Sequence, residues 1–392
     1  MSDSEFDLIQ DFFTGLDQGS SVRLGIGDDA AALALPDGHL LQVSTDTTVE
    51  GVHFLATLSP TDVAYRSVMA AVSDLAAMGA SPEALLLSLT LPEGDRVWLE
   101  GFSRGLADAC SVIGAPLVGG DTTRGPLSLT VTVLGSTPAD SYLTRSGARP
   151  GDRLCVSGTL GDAAAGLAVI SGRLAVDVSA AEFLTTRYTK PSVRLALGET
   201  LRGCATACID ISDGLLADAS HVATASDVGL EIDSALLPLS EAMRSSVDPG
   251  QSLDWALAGG DDYELLFTLP RNIPLPDGCT EMGRVVAGSG ISCDRTPERI
   301  GYDHFRRGSR RSHQGNDYRC GDTDRDGCWC RAVTGGTRDV RQHCRYGIIG
   351  LLVGYAGDLA LVGVVRAHRF GGVVIQACRR RLGCDRPPCD RD

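Results

Sequence analysis

The sequence predicts an α/β (α+β) protein of two domains, residues 1–147 and 148–305, followed by an unrelated tail over 306–392. Three observations carry this. Short apolar runs of strand length alternate with stretches of helical periodicity as far as residue 305. The turn formers Ser146-Gly147-Ala148-Arg149-Pro150-Gly151-Asp152 interrupt that alternation once, near its middle. Composition then changes abruptly near Phe305. With 392 residues, 43% of them hydrophobic, the chain has material for two or three cores, and a wholly disordered chain is excluded.

Taken in order, residues 40–44 read as a strand. Residues 62–78 read as a helix, with Val68, Val72 and Leu75 at helical spacing and alanine at most other positions. Residues 84–91 and 127–135 read as strands, the second rich in Val and Thr, with a helix over 98–114 between them. Past the junction, 153–157 reads as a strand, and Gly158-Thr159-Leu160-Gly161-Asp162 turns into an alanine-rich helix. A strand over 207–211, helices over 214–225 and 253–258, and a strand over 263–269 follow.

Charge narrows the function. The chain carries −15 overall, and 34 of its 35 basic residues are arginine. The one lysine, Lys190, lies in Thr189-Lys190-Pro191, outside any glycine loop. A Walker A loop and a protein-kinase strand lysine are both excluded, so any phosphate handled here needs metal ions and arginine. Residues 306–392 hold 17 Arg and 9 Asp, no Lys and no Glu, for a net +8, which leaves −23 on residues 1–305. A body so acidic is a poor binder of nucleic acid or of anionic membrane. The N-terminus is acidic and is no signal peptide, and residues 1–305 show no membrane-length apolar run. Six cysteines there (110, 155, 204, 208, 279 and 293) read as buried free thiols of a cytoplasmic protein.

The aspartates fall in a pattern. Apolar segments run into glycine and then acid at Leu24-Gly25-Ile26-Gly27-Asp28-Asp29, Val118-Gly119-Gly120-Asp121 and Ala258-Gly259-Gly260-Asp261-Asp262, with a related Ile209-Asp210-Ile211-Ser212-Asp213-Gly214. Asp46 follows a predicted strand, and Asp74 lies inside a predicted helix. One Gly-Asp is ordinary turn chemistry. Six such acids form a carboxylate cluster that cations must neutralise, and hard oxygen ligands suit Mg2+. Asp74 is the sharpest case, because Ala70, Ala71, Ala77 and Met78 are its helical neighbours. A charge there is costly unless paired, so Asp74 is either a structural acceptor or a metal ligand facing a cleft. Gly25-Ile26-Gly27-Asp28-Asp29-Ala30 matches a dinucleotide fingerprint formally. It is rejected because two aspartates would face the pyrophosphate and Pro36-Asp37-Gly38 leaves no room for the helix. Arg145, before the junction, is either a surface arginine or a bidentate phosphate ligand. His53 on its own reads as structural.

These segments, in this order, resemble the thiamine-monophosphate kinase family. The matching stretches are GIGDDAA (25–31), STDTTVEGVHF (44–54), SDLAAMGA (73–80), GGDTTRGPL (119–127), LTRSGARPGD (143–152), SGTLGDAAAGLA (157–168), IDISDGL (209–215), GGDDYEL (259–265) and GYDHF (301–305). The wider group includes aminoimidazole ribonucleotide synthetase and selenophosphate synthetase. The resemblance implies the two-domain aminoimidazole ribonucleotide synthetase-like fold: an N-terminal domain whose sheet pairs with its twin in a homodimer, a C-terminal α/β domain, and ATP between them. It implies Mg2+ at Asp29, Ser44, Thr45, Asp46, Asp74, Asp121, Asp210 and Asp213. It implies ATP contacts at Gly120, Asp121, Arg145 and Ser212, and thiamine phosphate near His53, Asp261 and Tyr302. Asp74, Asp121 and Arg145 are the residues expected to carry catalysis. At 261 the family usually has Glu, one methylene longer.

The expected reaction is in-line transfer of the ATP γ-phosphoryl group onto thiamine monophosphate, giving thiamine diphosphate, with several Mg2+ ions offsetting the repulsion between two polyanions. A synthetase of the same group and a non-catalytic cation-binding domain are the alternatives. Residues 306–392 match nothing in the family. A frame-shifted translation is the preferred reading, ahead of a disordered basic tail or a membrane anchor at 348–365. Zinc at Cys320, Cys328, Cys330 and Cys344 is disfavoured, because the spacings fit no standard ligand set.

Overall fold

The structure, a computed structural model, describes residues 5–302, 351–356, 359–367 and 373–379. Its contacts divide the chain into two units, Met1–Arg306 and Arg307–Asp392.

The first half of the larger unit runs α1 (Glu5–Phe12), β1 (Val22–Leu24), β2 (Ala32–Leu33), β3 (His39–Val49), α2 (Pro60–Ala77), β4 (Ser81–Leu91), α3 (Arg96–Ile113), β5 (Leu117–Arg124) and β6 (Ser128–Pro138). β3, β6, β4 and β5 form a four-stranded sheet in that order, antiparallel except for the β4–β5 pair. Local chemistry sets the helix ends. The Ser59 hydroxyl accepts from the Asp62 amide and Pro60 opens α2, while the Asp95 carboxylate accepts from the Val97 and Trp98 amides at the start of α3.

The second half contains β7 (Arg153–Ser157), α4 (Asp162–Ile170), α5 (Val178–Thr189), α6 (Leu195–Leu201), β8 (Ala207–Asp210), α7 (Leu215–Ser226), β9 (Gly229–Ile232), α8 (Glu241–Ser246), α9 (Pro249–Ala258), β10 (Leu265–Leu269), β11 (Cys279–Val286) and β12 (Gly290–Cys293). Its six strands lie in the order β12-β9-β11-β7-β10-β8.

Helix α2 joins the halves. Its alanines leave little bulk on any side, so it is buried almost all round: against β3 and β6 on one side, and against α5, α6 and β8 on the other. Ala76 and Ala77 share a core with Leu143, Leu201, Leu265 and Phe267. A Cβ at Gly198 of α6 would sit 2.1 Å from the Ala76 carbonyl oxygen, so only glycine permits this approach.

Two expectations are corrected. Asp46 does not follow a strand but lies within β3, and Asp121 lies within β5 rather than at a turn tip. Of the six cysteines, all free, only Cys155 and Cys208 are fully buried. The smaller unit forms an antiparallel sheet of β13 (Leu351–Ala356), β14 (Leu359–Ala367) and β15 (Val373–Arg379), so the described residues of the apolar run considered as a membrane anchor lie in strands. No helix among the described residues is long and apolar enough to cross a membrane. The zinc reading and residues 303–305 of the GYDHF stretch lie outside the described residues.

Candidate active site

A cavity of about 350 Å3 opens between the two halves, lined among others by Thr45, Asp46, His53, Arg66, Asp74, Tyr188, Asp210, Ser212, Asp213, Asp261, Tyr263 and Tyr302. Nine of the residues singled out from the sequence meet here. They come from β3, the loop after it, α2, the end of β8, the turns before α7 and β10, and, for Tyr302, the segment after β12.

The acidic side is built from pairs that link α2 to both sheets. Ser44 and Asp46 share the inward face of β3, while Thr45 faces the other way. The Ser44 hydroxyl donates to Asp74 Oδ2 at 2.5 Å, and the Ser73 hydroxyl donates to Asp210 Oδ2 at 2.7 Å. Adjacent residues of one helix therefore bind a strand from each half. Burial and then the nearby Asp74 charge push the Asp210 carboxyl up to about 7. Burial, followed by Asp74, also raises Asp46. Two carboxyls raised by burial and by the charge of the same neighbour, Asp74, are unfavourable as an anionic cluster and favourable as a cation cradle. Among the described residues no three metal-binding side chains converge on a protein-only centre. Carboxylate and hydroxyl oxygens are hard donors, which suit ions that take their remaining ligands from water and phosphate, as Mg2+ does.

The opposite wall is held by Arg66, 3% exposed on α2. Its Nη2 lies 2.7 Å from Asp261 Oδ1, its Nη1 donates to the Tyr188 carbonyl at 2.6 Å, and its guanidinium sits 4.1 Å from the centre of the Tyr188 ring. The Tyr263 hydroxyl also donates to Asp261. Asp261 and Tyr263 have φ of 61° and 51°, a region that costs non-glycine residues about 1–3 kcal/mol each. That backbone faces residues 261 and 263 to the cavity and turns Asp262 inward, onto the Gly161 and Ala163 amides. Burial raises the Asp262 carboxyl to about 8. His53 Nδ1 accepts from the Val49 amide at 3.0 Å, which places a neutral ring's proton on Nε2.

A second cavity of about 1080 Å3 holds Asp29, Gly120 and Asp121. A Cβ on Gly120 would fall 1.8 Å from the Leu87 carbonyl oxygen, so glycine alone lets β5 run this close to β4 just before Asp121. Thr45 of the first cavity hydrogen-bonds Thr132 of the second at 2.8 Å. Arg145 lines neither cavity, but its charge lowers the Asp210 pKa.

Arg66, Ser73, Tyr188 and Tyr263 were not foreseen. Arg66 carried a usable signal, since Val63, Met69 and Ala70 are its helical neighbours. Glu264, inside GGDDYEL, proves structural. It is fully buried and bonded to Ser157, Arg187 and both Nε and Nη2 of Arg194.

Residues 27–137 and 149–289 match the family models for AIR synthase related protein, N-terminal and C-terminal domains, which sets the class. Within that class, thiamine-monophosphate kinase of Escherichia coli K12 is 46% identical over 322 residues, covering 78% of this chain and 99% of the relative. The crystal structure of thiamine-monophosphate kinase from Stenotrophomonas maltophilia superposes with a TM-score of 0.69 at 40% identity, covering 75% and 98% of the two chains. The structure of AaThiL complexed with AMPPCP and TMP gives 0.64 at 36% identity, covering 69% and 89%. The chain belongs to the thiamine-monophosphate kinase family.

Proposed function

We propose that this chain transfers the γ-phosphoryl group of ATP to thiamine monophosphate, giving thiamine diphosphate and ADP, in the cytoplasm. The observation that carries this is one cavity with two unlike walls. Asp46, Asp74, Asp210 and Asp213 line one, and His53, Asp261 and Tyr263 the other. The nucleophile, a phosphate oxygen, is already anionic, so the site needs no strong general base.

Mg2+, when bound, neutralises phosphate charge and stabilises the transferring group. Asp74 and Asp210 are oriented for that task by Ser44 and Ser73, so their lone pairs are aimed before any ligand arrives. On the second cavity's side Asp29 and Asp121 would hold Mg2+, and Gly120 and Asp121, with Arg145 and Ser212, would be the ATP contacts. Ser44 and Asp213 complete the metal-facing set, to which Thr45, its side chain turned away, would contribute only backbone. Asp261, shorter than the usual family Glu, is drawn to one place by Arg66 and Tyr263, and with His53 and Tyr302 it holds the acceptor.

A homodimer formed through the four-stranded sheet is part of the same reading. Support comes from Leu40, Leu41 and Val43 of β3, exposed at 43%, 46% and 59%. Light scattering at twice the chain mass is the expected result.

The deciding experiment is incubation with ATP, Mg2+ and thiamine monophosphate, with chromatography for thiamine diphosphate. No diphosphate product would sink the reading. ADP formed only with other acceptors would move it to a synthetase.

A further inference from the structure

The turn Ile211-Ser212-Asp213-Gly214 brings two side chains to the cavity, and its backbone is fixed on both edges. The amides of Ser212, Asp213 and Gly214 converge on a single oxygen, Oδ2 of Asp218, each at 3.1 Å. Successive N–H groups at a helix start are the arrangement that cradles phosphate in many folds. Here the chain's own carboxylate fills the cradle, so phosphate is excluded from the start of α7. Asp218 is 3% exposed, and its own amide bonds the Gly214 carbonyl at 3.0 Å. The carbonyls of the turn are occupied too. Ile211 accepts from the Tyr263 amide at 2.9 Å, Ser212 from that of Asp261 at 2.8 Å, and Asp213 from that of Tyr302 at 2.9 Å. Three cavity-lining residues from two segments thus hang from a turn whose other edge is set by one buried carboxylate.

We propose that Asp218 is a positioning residue for phosphoryl transfer. It fixes the 212–214 turn so that Asp213, and through the carbonyl contacts Asp261 and Tyr302, face the cavity in register with Asp74 and Asp210. This rests on the reading of the cavity as a metal–nucleotide site. Asp218 touches neither nucleotide nor acceptor; it acts through the backbone it holds.

The test uses the full chain and Mn2+ binding, read by electron paramagnetic resonance in the presence of AMPPCP. Asp218→Asn keeps an oxygen able to accept the three N–H groups, and Asp218→Leu keeps the size without an acceptor. Asp218→Leu is expected to weaken Mn2+ binding about ten- to hundredfold, and Asp218→Asn to stay within about threefold of wild type. Val222→Ala, in the core of the same helix, should lower Tm without moving Mn2+ affinity. Should Asp218→Leu fail to fold, Asp218→Ser, too short to reach the amides, takes its place with the same expectation. Unchanged Mn2+ affinity in Asp218→Leu, or equal losses in the Asn and Leu variants, would overturn the role. Asp213→Asn keeps the two readings apart. If it loses Mn2+ while Asp218→Leu does not, only the positioning role fails. If wild type binds no Mn2+ with AMPPCP, the metal–nucleotide reading fails and this inference with it.

Discussion

Replacing Arg66 with Met keeps apolar bulk in α2 and removes the cation by which the first half holds Asp261 and Tyr188 of the second. Breaking a fully buried ion pair on one side costs about 3–5 kcal/mol. Arg66 is buried, but Asp261 keeps 34% of its side chain in water, which screens the orphaned charge. The loss at this site is therefore about 1–3 kcal/mol. At about 1.4 kcal/mol per factor of ten, this is a five- to hundredfold effect. It should fall on the acceptor wall: KM for thiamine monophosphate rises by that factor, while KM for ATP, held by the acids opposite, moves little. Arg66→Lys should lie between, because one ammonium cannot reach Asp261 and the Tyr188 carbonyl with the same fork. The assay is steady-state kinetics with each substrate varied in turn, alongside thermal unfolding. A lowered Tm with unchanged KM for thiamine monophosphate would refute the argument and leave Arg66 a purely structural tie.

Asp74→Asn and Asp121→Asn should each lower turnover by about a hundredfold or more with the fold intact, since each removes a charged oxygen placed for metal or phosphate; near wild-type kcat at saturating Mg2+ would remove them from the mechanism. His53→Ala should raise KM for thiamine monophosphate by about tenfold with kcat little changed, and unchanged kinetics would return His53 to a structural role. Stability should depend on pH. Asp210 and Asp218 titrate at about 7 and Asp262 at about 8 when folded, each above the usual 3.8, chiefly through burial. Between those values the folded state binds more protons than the unfolded one at these three groups, so their contribution to metal-free stability is fully present below about pH 4 and is lost as pH rises through 7 to 8. Tm at pH 5.5 should exceed Tm at pH 8.5, and Mg2+ with ATP should narrow the gap; a metal-free Tm that rises over this range contradicts it. Truncation after Arg306 should leave activity in place, because the site lies wholly in the unit Met1–Arg306; loss of turnover would give the tail a role.

The sequence revealed most where chemistry and period coincided. Helix α2 could be read from its valines and alanines, and Asp74 stood out because no apolar face tolerates a lone acid. By the same logic Arg66, two turns earlier, was equally legible, and it matters as much: a site rich in acids had to carry a cation on the wall where no metal is needed. Other features lay beyond any local signal. Asp46 and Asp121 are mid-strand because β3 and β5 continue past their apolar stretches through Thr-rich polar segments whose pairing is set by β6 and β4. Asp218 resembles any first-turn helix acid until the fold closes three amides around it. Tyr188 belongs to α5, whose weak amphipathic pattern gave no element at all. These are properties of chain segments brought together by α2, which binds one sheet through Ser44–Asp74 and the other through Ser73–Asp210. A helix that must be small enough to be buried on both sides, and polar enough to bind both strands, is constrained at nearly every position, and this explains why its segment of the sequence said so much about the site.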